Sequence, residues 1–507
     1  MYQTYLRFSN VSYTYPGSNQ EAVSAVSINL DSGWTAFAGA NGCGKTTVLK
    51  LATGLLTPDT GSIVSSAARV YCPQRTDHSP EYLAEFLFDW SSDSIRLRDI
   101  LKIGDDWGTR WDTLSYGERR RLQIAAAIWT RPAVLALDEP FNHLDTDGRS
   151  LLIKSMREYQ GCGLLVSHDR HAMDLLCTSC VLFFREGIQL YRTGYTLAMK
   201  AERVRQTSLA GKRKRAGVKY MQLKRDARRK MIQARTVQAH LSGKRISFKD
   251  ICKYNYDGPS QYTSRVQNAG RRSREATARA DRAKEHMESI KYRKTYGSGI
   301  ELFGEVSSRN YLLEMLPAEI RIGEATLSYP HLEIQSEDRI ALTGGNGTGK
   351  TTLLTHLSSE LNCPPAKLIW ISQEITADEC SGYLSEVKKL SREDLGRIMT
   401  IVRRLGSDPE RVLSSEVPSP GEARKLLLAL GLSKTPWLVI MDEPTNHMDL
   451  PSVECLEKAL NDYTGALVLV SHDREFLDNT TSIRWNIMDG KLSVTKKKSS
   501  VISGRVC

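Results

Sequence analysis

The sequence predicts an α/β fold built twice in one chain of 507 residues, with a long α-helical hairpin inserted between the two copies. Three observations predict it. The same ordered set of short motifs occurs twice: Lys45 and Lys350 lie 305 residues apart, and Ser115/Ser419, Asp138/Asp442 and His168/His472 each lie 304 apart. Such self-similarity at a fixed spacing marks a duplicated domain. Within each copy, short apolar runs such as Val134-Leu135-Ala136-Leu137 and Leu438-Val439-Ile440-Met441 lead straight into acidic residues, the pattern of parallel strands covered on both faces. Between the copies, apolar and small residues recur in steps of three and four along two stretches separated by turn formers.

The first domain is expected over residues 1–190 and the second over 318–507, each with helices such as Arg119 to Trp129 and Ala423 to Leu432 between its strands. Two domains also suit the length, because a single core rarely grows past about 250 to 300 residues. Residues 191–317 form the linker. From Ala216, the positions Tyr220, Leu223, Ala227, Met231, Ala234, Gln238 and Leu241 make one seam. Val266, Ala269, Ser273, Ala276, Ala280, Ala283, Met287 and Ile290 make a second, mostly of small side chains that permit close approach. Ser242-Gly243 and Asp257-Gly258-Pro259 break the helices, so an antiparallel hairpin results. Each seam spans about 26 residues, or roughly 40 Å at 1.5 Å per residue.

The net charge of +12 is concentrated in this linker. Residues 201–300 hold 27 Lys and Arg against 8 Asp and Glu, while the rest of the chain holds 43 against 50. An excess of that size in one segment points to a polyanion, since neutralising phosphates releases condensed counterions. No run reaches the roughly 18 apolar residues that cross a bilayer, and the N-terminus carries no basic segment followed by an apolar stretch; a cytoplasmic protein is expected. The ten cysteines are scattered and are read as reduced thiols, with Cys177-x-x-Cys180 structural because no second pair stands at ligand spacing.

Two segments carry phosphate chemistry. Gly39-Ala40-Asn41-Gly42-Cys43-Gly44-Lys45-Thr46 and Gly344-Gly345-Asn346-Gly347-Thr348-Gly349-Lys350-Thr351 both fit G-x-x-x-x-G-K-[ST]. Glycines turn backbone N–H groups onto phosphate oxygens, Lys reaches the terminal phosphates and Thr coordinates Mg2+, with Thr47 and Thr352 following on the helix. Asp138-Glu139 and Asp442-Glu443 end apolar strands, where a parallel sheet faces a ligand crevice. The Asp suits Mg2+ and the Glu suits polarising the attacking water. His168 and His472, each after an apolar run and a Ser, fit sensors of the γ-phosphate.

Leu114-Ser115-Tyr116-Gly117-Glu118, with Ser419-Pro420-Gly421-Glu422 in the second copy, resembles the signature motif of the ATP-binding cassette (ABC) superfamily. Gln74 and Gln373 resemble its glutamine loop, which helps to hold Mg2+, and Leu144-Asp145 and Met448-Asp449 stand where its D-loop does. The resemblance implies two ATP molecules at composite sites, with Ser419, Gly421 and Glu422 closing on ATP at Lys45 and Ser115, Gly117 and Glu118 closing on ATP at Lys350. Glu139-Pro140-Phe141-Asn142-His143-Leu144-Asp145 and Glu443-Pro444-Thr445-Asn446-His447-Met448-Asp449 are similar to the string of the F subfamily, which has two cassettes, no membrane span and a long helical linker. Phe141, Met448, Tyr116 and Pro418 depart from its pattern. Tyr15 is expected to stack on adenine as the family's aromatic loop does, with Tyr329 a weaker candidate.

Members of that subfamily bind the ribosome and insert the linker through the tRNA exit site towards the peptidyl transferase centre. The resemblance thus implies large-subunit rRNA and initiator or peptidyl-site tRNA as partners of a monomer whose two cassettes pair within the chain. The expected tip, 242–262, combines Lys244, Arg245, Lys249 and Lys253 with Phe248, Tyr254, Tyr256 and Tyr262, a mixture suited to phosphates and unpaired bases. The compact second copy and the string from Ser419 to Leu430 look most like the antibiotic-resistance branch acting against lincosamides, streptogramin A and pleuromutilins. The competing readings are a drug-independent translation factor, an exporter's ATPase subunit and a DNA-repair ATPase.

Overall fold

The computed structural model describes residues 5–65, 68–142, 144–184, 187–243, 258–292, 306–323, 325–373, 377–414, 420–446 and 448–497. The expected tip residues Lys244, Arg245, Phe248, Lys249, Lys253, Tyr254 and Tyr256 lie outside them, as do Ser419, His143 and His447. Packing divides the chain into two units, one of residues Met1–Ala198 with Gly297–Cys507 and one of Met199–Tyr296.

The first unit contains both copies. In the first, a six-stranded sheet runs in the order Arg69–Cys72, Val134–Asp138, Cys162–Val166, Gly33–Gly39, Cys177–Phe184, Gly187–Tyr191. Its first five strands are parallel and the last is an antiparallel edge. The second copy repeats this order with Leu368–Ile371, Leu438–Asp442, Ala466–Val470, Arg339–Gly344, Ile483–Met488 and Lys491–Lys496 inside an eight-stranded sheet. Every residue of Val134–Asp138 and Leu438–Asp442 is buried, as expected of strands sandwiched between helices. Pairing within the second copy begins before residue 318: Tyr311–Met315 is already antiparallel to Leu332–Gln335.

Helices run over Tyr116–Trp129 and Pro420–Leu432, bracketing the expected ones. The first starts with a capping box in which Ser115 and Glu118 satisfy each other's backbone N–H. Cys177 and Cys180 are buried free thiols on the strand Cys177–Phe184. Among the described residues no group of three or more His, Cys, Asp and Glu is placed to hold a metal by itself, and no helix is long and apolar enough to cross a membrane.

The second unit consists of the helix Tyr195–Gly243, which begins just inside the first unit, and the helix Gly258–Ser289. The first has 49 residues, about 73 Å at 1.5 Å per residue, longer than its seam because it starts soon after the last strand of the first copy and runs on through Gly211 and Gly217. Ala227, Ala276 and Ala280 bury themselves against one another with Leu223 beside them. Arg213 donates from Nη1 to the Ile290 carbonyl at 3.1 Å and stacks on Tyr292, so the two helices run antiparallel. The second seam is inward at every position from Val266 to Ile290. The first slips past Ala227: Met231 and Gln238 are exposed, while Lys230, Ala234 and Val237 turn inward. At 3.6 residues per turn position 230 follows 227 on the same face as readily as 231 does, and pairing of Lys230 Nζ with Asp226 at 2.7 Å lets the lysine stem lie along the seam.

Candidate nucleotide sites

Each phosphate loop connects a buried central strand to a helix beginning at its lysine. Gly44 and Gly349 cap these helices at φ 94° and 92°, with no side-chain cap, leaving the first N–H groups to a ligand. A Cβ on Gly44 would stand 2.5 Å from the Ala22 carbonyl, so the conformation and the close approach both require glycine. Lys45 Nζ donates to the carbonyls of Gly39 at 2.7 Å and Ala40 at 2.9 Å. Lys350 Nζ does the same to Gly344 at 3.0 Å and Gly345 at 2.7 Å. Each loop therefore holds its own ammonium in place.

Thr46 Oγ1 donates to Asp138 Oδ2 at 2.8 Å, and Thr351 Oγ1 to Asp442 Oδ2 at 2.9 Å. A hydroxyl beside a carboxylate at the start of a phosphate-loop helix is the sparse oxygen set that Mg2+ takes when phosphates and water complete its shell, so the residues fit the ion. Gln373 lines a cleft of about 390 Å³ with Lys350, Thr351, Asp442, Glu443 and His472. Gln74 is exposed, and its carbonyl accepts from Tyr116 Oη at 2.6 Å, so the tyrosine that departs from the signature pattern ties the first glutamine loop to the signature helix.

Glu139 and Glu443 leave their strands with φ of 48° and 50°, a left-handed conformation that costs a non-glycine residue about 1 to 3 kcal/mol and clusters at functional sites. The kink brings each carboxylate under the neighbouring strand end, where Oε2 accepts from the backbone N–H of His168 at 3.2 Å and of His472 at 3.3 Å. Among the described residues each Oε1 is buried with no hydrogen-bond partner, as is His168 Nδ1. The His Nε2 atoms stand 3.2 and 3.5 Å from these Oε1 atoms without hydrogen-bond alignment. Orphaned buried acceptors are costly, and a water between Glu and a terminal phosphate would relieve them.

Burial pushes both glutamates up to about 7, with Asp138 adding to the rise at Glu139. Burial also lowers His168 and His472 to about 4, so both imidazoles are neutral near neutrality. A protonated Glu cannot take a proton from water, and kcat/KM reports groups of the free enzyme. After correction for the nucleotide's own titration, kcat/KM for ATP should climb to a plateau with its midpoint near pH 7, with no descending limb from either His above pH 5. A flat profile from pH 6 to 8 would contradict these glutamates as proton acceptors.

Contacts across the two copies complete the sites. Asp145 and Asp449 each cap their own helix with Oδ1, accepting from Gly148 and Ser452. The other oxygen crosses over: Asp449 Oδ2 accepts from Asn41 N at 2.9 Å, and Asp145 Oδ2 lies 3.5 Å from Asn346 N. Each phosphate loop thus faces the D-loop of the opposite copy, the head-to-tail arrangement a composite site needs. Among the described residues neither Ser115 nor Gly117 hydrogen-bonds to the opposite loop; Ser115 Oγ donates to Glu118 at 2.7 Å. Glu422 lies in the first turn of the second signature helix, 3.5 Å from Arg411.

Tyr15 is 39% exposed, with its hydroxyl 3.1 Å from Thr47 Oγ1, beside the first phosphate-loop helix. Tyr329 is buried with its hydroxyl 3.3 Å from His356 Nε2. Ile322, not Tyr329, lies against Gly349 and lines the second cleft. Sequence reasoning also passed over the buried Arg120 and Arg424. Arg120 donates to the Pro73 and Asp138 carbonyls, and Arg424 to those of Glu443 and Asn446 at 3.0 Å, locking each signature helix to its acidic strand end. Their 304-residue spacing was the available signal.

Residues 23–142 and 327–446 match the family described as ABC transporter. The chain is 27% identical over 492 residues to the ribosome protection protein VmlR of Bacillus subtilis, covering 92% of this chain and 83% of the relative. It is 27% identical over 540 residues to the tylosin resistance ATP-binding protein TlrC of Streptomyces fradiae, covering 93% and 95%. In structure it resembles the archaeal ribosome recycling factor aABCE1 with a TM-score of 0.59 at 18% identity, over 94% of this chain and 87% of that one, which establishes the twin-cassette fold.

Proposed function

Because this chain is a twin-cassette ATPase of the ABC family, we propose that it is a cytoplasmic ribosome-protection protein of the F subfamily. In this reading ATP with Mg2+ binds at both composite sites and closes the cassettes. Hydrolysis by Glu139 and Glu443, with His168 and His472 beside the terminal phosphate, reopens them. The linker enters from the tRNA exit site, contacts large-subunit rRNA and the peptidyl-site tRNA, and displaces a lincosamide, pleuromutilin or streptogramin A near the peptidyl transferase centre. The observation that carries this is the second unit: its shared seam centres on Ala227, Ala276, Ala280 and Leu223, whereas Lys212, Lys214, Arg215, Lys224, Arg225, Arg228, Arg229, Arg271, Arg272 and Arg274 are all exposed. A face of that charge matches RNA phosphates. The names of VmlR, a ribosome protection protein, and TlrC, a tylosin resistance protein, both similar over nearly the entire chain, support ribosome protection and drug resistance without naming these drug classes.

The test compares cells expressing the wild type, a variant with those exposed Lys and Arg of residues 212–229 changed to Gln, and a deletion of Phe248 to Tyr256 bridged by Gly-Ser. Minimal inhibitory concentrations for the three drug classes should rise severalfold with the wild type and return to baseline with the deletion. The Gln variant should bind ribosomes more weakly and with a flatter salt dependence, since the slope scales with phosphates neutralised. Ribosome binding without resistance to any of the three would move the assignment to a drug-independent translation factor.

A further inference from the structure

The two nucleotide sites are not chemically equal, and the difference lies in one side chain contributed across the cassette interface. Arg149 sits on the helix Thr146–Met156, four residues after Asp145. It lines the second cleft, opposite Lys350, Glu443 and His472. Its Nε donates to its own Leu144 carbonyl at 3.0 Å, and Nη1 donates both to Asp169 Oδ2 at 3.2 Å and, across the interface, to the His472 carbonyl at 2.8 Å. Among the described residues Nη2 has no protein partner. Arg149 is also the largest favourable charge acting on Glu443, ahead of Lys350.

The repeat equivalent of Arg149, 304 positions on, is Val453, which is 2% exposed in the core of the second cassette. No cation therefore reaches the first loop from that helix position. Lys425 is the cross-interface cation that acts on His168 there; it is buried, and Asp449 is the opposite charge that acts on it most. We propose that Arg149 is a cross-interface ligand for the terminal phosphate of ATP at the second loop, presented through its uncommitted Nη2, and that the first loop binds ATP without such a ligand. A guanidinium anchored at Nε and Nη1 costs little further entropy on engaging a phosphate, and suits it in charge and geometry. ADP, one phosphate shorter, does not reach it. ATP at the second site then bonds the first cassette directly, so that site recognises the triphosphate and closure together.

This inference rests on both phosphate loops being nucleotide sites, and the experiment separates the two claims. In the full chain carrying Glu139→Gln and Glu443→Gln, Lys45→Ala confines nucleotide to the second site and Lys350→Ala confines it to the first; affinities for ATP and ADP with Mg2+ are measured by equilibrium titration. Arg149→Ala should weaken ATP at the second site about 10- to 100-fold, the size of one charge-assisted contact. It should change ATP at the first site, and ADP at either, by much less. Arg149→Lys should recover most of the loss, whereas Arg149→Gln, which can still donate to the His472 carbonyl, should not. If Arg149→Ala weakens ATP equally at both sites, or if Gln restores affinity as well as Lys, the residue is an interface strut and the inference fails. If Lys45→Ala together with Lys350→Ala leaves nucleotide binding intact, the site reading itself fails.

Discussion

Glu139→Gln with Glu443→Gln stops ATP turnover and leaves ATP bound, with a loss in kcat of about 100- to 10,000-fold, the range for removal of a positioned general base. The geometry separates chemistry from binding. The loop N–H groups, Lys45, Lys350 and the Thr46/Asp138 and Thr351/Asp442 pairs do not depend on the glutamate side chains. Gln keeps an oxygen for the His168 and His472 N–H groups, so the kinked strand ends survive, but it cannot accept a proton from water. The variant therefore accumulates in the ATP-closed state, and ribosomes should co-purify with it in the proposed function. Quenched-flow measurement of ADP release, with a filter assay for retained ATP, checks both halves; wild-type turnover would remove the glutamates from their assigned role.

Arg170→Ala should cost about 3 to 5 kcal/mol, because it strands a buried carboxylate. Arg170, on the first cassette, donates from Nη2 to Glu457 of the second at 2.5 Å, with side chains 7% and 11% exposed, and lies 3.4 Å from Glu475. Burial alone would lower the arginine's pKa, but the hydrogen bond and charge of Glu457 raise it, so the guanidinium remains charged between the copies. Its repeat equivalents give the control. Arg474 is exposed, and Ile153 occupies the place of Glu457, so Arg474→Ala should cost under about 0.5 kcal/mol. Arg170→Met with Glu457→Leu should restore most of the loss, since an apolar pair of similar volume often replaces a buried ion pair without penalty. Chemical denaturation with a double-mutant cycle measures each value; a cost for Arg170→Ala no larger than that for Arg474→Ala would mean that the pair does not hold the cassettes.

Two copies of one α/β domain, their phosphate loops, the acidic strand ends and the intervening helices could all be read from the residues alone. The physical reason is that each is written in a contiguous stretch. Glycines at 39, 42 and 44 specify a loop conformation locally, an apolar run of strand length specifies burial, and recurrence at 304 residues removes the ambiguity of any single match. Even the second helical seam followed from its own spacing, whereas the first, with Met and Lys competing for adjacent positions, was decided by which side chain could lie flat against the partner helix. The rest needed tertiary structure. Asp145 and Asp449 each divide two oxygens between a helix cap and the opposite loop, and only the docking of one copy on the other shows where the second oxygen goes. Arg149 breaks the repeat, as the buried Val453 shows, and Arg170 keeps it while its partner does not, Glu457 standing where the first copy has Ile153, so the internal similarity that revealed the sites is silent about these contacts. Contacts between residues 201 to 408 positions apart depend on the shape and charge of two surfaces meeting, and no periodicity within either copy encodes that meeting.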